Sequence, residues 1–111
     1  MAYDETLAQR VRDGLAGEEH LTEKKMFGGL AFLINRNMAV TVSHRGGLMI
    51  RADPASADEL IASTNASQIE MRGRAMPGWL HISVADVETE AELLRWVELA
   101  AGYTRSLPAK A

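Results

Sequence analysis

A chain of 111 residues is sized for one domain that buries about 65% of the surface its unfolded form exposes, and with no cysteine it has no disulfide, thiolate metal site or thiol nucleophile. Fifteen acidic against twelve basic residues give a net charge of −3, which argues against a whole-protein electrostatic grip on nucleic acid. Met1 to Glu5 lack a signal-peptide pattern and the longest apolar run, Leu30 to Ile34, is too short to span a bilayer, so a cytoplasmic protein with no membrane partner is expected.

Tyr3, Leu7, Val11 and Leu15 recur every four residues, a stripe about 120° wide that predicts an amphipathic helix over 4–16, stopped by Gly17. The acidic segment 17–23 reads as a turn-prone linker. Lys25-Met26-Phe27 and the run Leu30 to Ile34 read as strands on either side of Gly28-Gly29, a bulge or tight turn. Asn35-Arg36-Asn37 signals a hairpin, after which Met38, Val40 and Val42 alternate with Ala39, Thr41 and Ser43. Gly46-Gly47 turns the chain before a strand over 48–52. Asp53 suits a helix cap and Pro54 the first helical position, predicting a short helix over 54–63.

Ile69 and Met71 alternate with Glu70 and Arg72 in a strand that stops at Gly73, and the turn-rich stretch 74–78 leads into an alternating strand over 79–84. The two predict a hairpin. Thr89 with Glu92 forms a capping box that opens a long terminal helix, with Leu93, Trp96, Val97, Ala100 and Ala101 on its apolar face and Pro108 beyond its end. The order α-β-β-β(β)-α-β-β-α predicts an α+β fold over 1–111: a mostly antiparallel sheet with helices on one face. Between Lys24 and Arg51 there are five cations and no acid, whereas acids crowd both ends of the chain. An acidic helical side and a more basic sheet side follow.

Lys25-Met26-Phe27-Gly28-Gly29-Leu30-Ala31-Phe32, Asn37-Met38, Met71-Arg72-Gly73-Arg74 with Met76-Pro77-Gly78-Trp79, and Tyr103-Thr104-Arg105-Ser106-Leu107-Pro108 together resemble the N-terminal domain of the TfoX/Sxy family. The likeness covers nearly the whole chain. It implies a two-layer, secretion-chaperone-like fold of order α-β(3)-α-β(2)-α. It also implies a link to transcriptional regulation in natural competence, where relatives are thought to act with the cyclic-AMP receptor protein. Those relatives carry a second, helical C-terminal domain, and this chain is expected to be the N-terminal domain standing alone.

Taking Leu48, Ile50, Ile69, Met71, Leu80, Ile82 and Val84 as interior, period-two geometry sends Met49, Arg51, Glu70, Arg72, Trp79 and His81 to the uncovered face. Tryptophan, methionine and arginine gathered there have the composition of a protein-binding patch. Arg51, Arg72, Arg74, Trp79 and His81 are therefore the candidate contacts with a protein partner, whether a transcription regulator or a second copy of this chain. Met26, Phe27, Gly28, Gly29, Gly73, Pro77 and Gly78 are read as shaping the sheet, and Met26, Met71 and Met76 as deformable core filling. The alternative is a small anion- or nucleotide-binding protein in which Arg72-Gly73-Arg74 cradles the anion.

No catalytic set, metal site or cofactor is predicted: His20, His44 and His81 lie apart, and none has a second ligand at helical spacing. Few aromatics and the absence of a helix-turn-helix pattern argue against direct nucleic-acid binding. A non-enzymatic regulatory or adaptor module is the expectation.

Overall fold

A computed structural model describes residues 3–26, 28–71 and 73–108. Each helix begins on the side chain of its cap. Asp4 accepts from the Leu7 amide at 3.1 Å to start α1 (Glu5–Gly14), and Asp53 accepts from Ala55 at 2.9 Å to start α2 (Pro54–Ser63). α3 (Glu90–Arg105) opens on the reciprocal box: Thr89 Oγ1 accepts from the Glu92 amide at 3.1 Å while Glu92 Oε1 accepts from the Thr89 amide at 3.2 Å.

Six strands, β1 (Leu21–Met26), β2 (Gly29–Ile34), β3 (Asn37–Val42), β4 (Leu48–Arg51), β5 (Ser67–Met71) and β6 (Arg74–Ile82), form one sheet in the order β1-β2-β3-β4-β6-β5. Every neighbouring pair is antiparallel. The first four strands are a meander, and α2 then carries the chain across β6 so that β5 lands at the far edge. Asn35 and Arg36 both take positive φ, 52° and 67°, matching the right-handed twist of the β2–β3 hairpin.

Facing residues on one side of the sheet are large and apolar: Leu30 pairs with Val42 and Val42 with Leu48, while Phe32 pairs with Val40, Val40 with Ile50 and Ile50 with Leu80. They join Leu7 and Val11 of α1, Ala57 of α2 and Leu93, Trp96 and Val97 of α3 in one buried core. Helices thus cover one side of the sheet. Among the described residues no helix is long and apolar enough to cross a membrane.

Four expectations change in detail. The four strands read before α2 are present, one more than the resemblance implied, but β1 begins at Leu21 inside the stretch read as a linker; Leu21 pairs with Ile34, and Glu23 is held by Arg12 of α1 at 2.6 and 2.7 Å. The stretch 74–78 read as turn-rich belongs to β6. Val84 is 48% exposed rather than interior, since β6 stops at Ile82 and a 3-10 turn (Val84–Val87) follows, with Ser83 Oγ donating to Asp86 at 2.9 Å; Val87 enters the core instead. Ile69 leaves the helix side because the register shifts between Gln68 and Glu70. The side chain of Met71 lies outside the described residues.

Candidate functional site: a methionine-walled cleft on the open sheet face

One row of paired residues crosses the uncovered side: Lys24, Ala31, Thr41, Met49, His81 and Ser67, each opposite the next. Its second and third members are small. Ala31 is fully buried and Thr41 is 6% exposed, although no helix lies over them and Ala31 is not part of the helix-side core. Around Thr41 longer side chains wall a cleft of about 520 Å³: Met26, Met38, Met49, Met76, Ile69 and Trp79. Gly29, Ser43, His44, Arg45 and Glu70 complete its lining. A small-residue floor between flexible walls makes the recess.

Both glycine-broken motifs build this cleft. Each opens as a two-residue hairpin connection: Met26 pairs with Gly29 across residues 27–28, and Met71 pairs with Arg74 across residues 72–73. Gly28 and Gly73 take φ of +79° and +77°, where other residues are strained. Beyond Arg74 the second motif becomes a wide bulge. Leu80 pairs with Gln68 and Ala75 with Glu70, so Met76-Pro77-Gly78-Trp79 face Ile69 alone.

Three features hold the bulge open. Pro77 sits in a part of β6 outside the ladder to β4, which ends at the Arg51–Trp79 pair, so its missing N–H leaves no gap there. Gly78, at φ +83°, accepts from the Ala52 amide at 2.6 Å, and a Cβ there would lie 2.6 Å from the Ala52 oxygen. The Gln68 amide Nε2 donates to the carbonyls of Met76 at 2.6 Å, Ile69 at 3.0 Å and Trp79 at 3.3 Å. The bulge thereby brings Met76 and Trp79 to the cleft wall.

Of the predicted contact residues, Arg51, Trp79 and His81 share the open face. The Arg51 guanidinium lies 5.4 Å from the centre of the Trp79 ring, a cation–π contact, and both residues are half-buried. His81 is engaged structurally: its Nε2 is 3.1 Å from the Gly46 carbonyl and ties down the β3–β4 turn. Arg74 is exposed at the distal end of β6, beside the β5–β6 turn, and does not line the cleft. Arg72 and Phe27 lie outside the described residues. Met26 and Met76 are corrected from core filling to cleft wall, because the hairpin end and the bulge place them on the open side.

Sequence reasoning missed Gln68, Met38, and the floor at Thr41 beside the buried Ala31. Met38 reaches the open face through the bulge at Phe32/Leu33, and Thr41 Oγ1 donates to its Sδ at 3.1 Å. A shallower polar depression near Asn65, Asp86 and Trp96 satisfies itself: Asn65 and Ser83 both donate to Asp86 and hold its carboxyl below the ordinary range. Among the described residues no group of three or more histidine and carboxylate side chains is placed to hold a metal ion.

No curated protein matches the chain. The family model described as the TfoX N-terminal domain matches residues 13–103, a span that contains both halves of the cleft, its hairpin end and its bulge. This chain therefore belongs to the TfoX N-terminal domain family.

Proposed function

We propose that this chain is a non-enzymatic regulatory or adaptor module that works by protein association through the open face of its sheet. The supporting observation is the cleft itself: about 520 Å³, walled by four methionines and a tryptophan, on the side of the sheet that no helix covers. A half-buried tryptophan capped by an arginine is the composition of an interface anchor, and methionine walls adapt to the shape of what they receive. Family membership supports a partner in transcriptional regulation, of the kind the competence link implies.

The test is co-purification from the native host with the wild-type chain and with a Trp79→Ala/Arg51→Glu variant. Both substitutions lie on the open face, so the variant keeps its helix-side core and its helical circular dichroism. Proteins bound by the wild type and lost by the variant support the reading. An identical bound set with a correctly folded variant refutes it.

A further inference from the structure

We infer that the cleft receives an acidic amphipathic helix, its apolar residues entering between the methionines and its carboxylates facing the cations of the rim. The inference rests on the association reading above and names the chemistry of the partner. Lys24 stands on the open face as the cross-strand partner of Ala31, two residues from the cleft wall at Met26, Arg45 lines the cleft, and Arg51 covers Trp79. Of these three cations Arg45 lines the cleft together with the carboxylate of Glu70, and Lys24 and Arg51 flank it on the same face. Among the described residues, ion pairs are Arg12–Glu23 and Arg105–Glu18, so the rim cations are not neutralised there from within. An incoming segment of negative charge meets complementary potential; a basic one meets like charge at close range.

The position of the recess selects a helix over a strand. It lies on the face of the sheet, over the central strands β3 and β4, whereas an added strand hydrogen-bonds at an edge. A segment lying on the face finds no ladder for its backbone, and only one whose N–H and C=O groups are paired internally enters without leaving them unpaired.

A second copy of this chain fits less well. Among the described residues Val84 is the exposed large hydrophobic side chain, and one such residue does not make a ridge that would fill the cleft of another molecule. Packing two open faces together by a two-fold axis apposes the same Lys24, Arg45 and Arg51 rims. Like charge then opposes the contact.

The experiment is panning of a phage-displayed library of random peptides on the immobilised chain. Enriched peptides are expected to carry apolar residues at i, i+3 or i+4 and i+7 with an excess of Asp and Glu, to bind more weakly as salt rises, and to lose binding to Trp79→Ala. A Lys24→Glu/Arg45→Glu variant changes two exposed side chains and leaves the fold intact, and it is expected to weaken the same peptides by roughly tenfold. Peptides that depend on Trp79 but are basic, neutral or patterned as strands overturn this inference and leave the association reading standing. Trp79-dependent self-association in sedimentation, with no acidic peptide enriched, overturns it in favour of a second copy. No enrichment and no self-association, or capture undiminished by Trp79→Ala, overturns both.

Discussion

The two sides of the central strands differ residue by residue. On β2, Phe32 faces the helices and Ala31 the open side; on β3, Val40 and Thr41 divide in the same way; on β4, Ile50 and Met49. Toward the helices stand bulky aromatic and branched side chains that interdigitate at crystal-like density. Toward the open side stand the small residues Ala31 and Thr41, with four methionines, Ile69 and Trp79 around the recess. One set of strands thus carries a closed core and a shaped recess, and the difference lies in side-chain size at alternate positions.

Substitutions at adjoining positions break that comparison apart. Phe32→Ala removes a fully buried ring and is expected to cost about 3–5 kcal/mol in chemical denaturation, and Ile50→Ala about 2–5 kcal/mol. Met49→Ala, one residue away, is expected to cost less than half as much as Ile50→Ala and to weaken peptide capture instead, because its side chain is half-buried against an open cleft. Equal losses at Met49 and Ile50 would show that the open face is packed like a core.

Gly78→Ala comes next. Its φ of +83° and the 2.6 Å approach to the Ala52 oxygen predict a loss of about 2 kcal/mol, in the range of backbone strain, with the bulge shifted. Gln68→Leu keeps the side-chain bulk but leaves three carbonyls without their shared donor, and is expected to cost about 1–2 kcal/mol. If that bulge sets the cleft wall, Gln68→Leu also weakens peptide capture although Gln68 does not line the cleft. Wild-type capture by Gln68→Leu would separate the bulge from the site.

Legibility follows the same division. The starts of α2 and α3 were readable because Asp53-Pro54 and Thr89 with Glu92 act within a single turn of chain. The uncovered face was readable on β4 and at the end of β6, where strict alternation sends Met49, Arg51, Trp79 and His81 to one side. Met76-Pro77-Gly78 misled, because proline and glycine signal a break, and only the neighbouring strand decides whether the break is a turn or a bulge. Ala31 gave no signal inside an apolar run, since a small residue marks a recess only when its cross-strand neighbours are known. The role of Gln68 was invisible for the same reason: its three acceptors are backbone carbonyls of the bulge.

The smallest expected effect sits at the helix-side rim, where α1 meets the edge strand. Glu23 accepts from Arg12 at 2.6 and 2.7 Å, and these hydrogen bonds hold its carboxyl below the ordinary glutamate range. A lowered folded-state value means that the pair stabilises the fold above the ordinary glutamate value and loses this contribution as pH falls through the lowered one. Both side chains are partly open to solvent, at 39% and 34%, so the contribution is expected to stay below about 1 kcal/mol and to shrink in salt. Glu23→Gln should therefore trail the wild type at neutral pH and converge with it in acid; a gap that widens in acid would sink the assignment. Arg12→Ala should not converge, because the guanidinium also stands 5.9 Å from the centre of the Phe32 ring and covers the edge of the core at any pH. The residual gap between the two variants in acid then measures how far the closed side of the sheet extends past its helices onto an arginine.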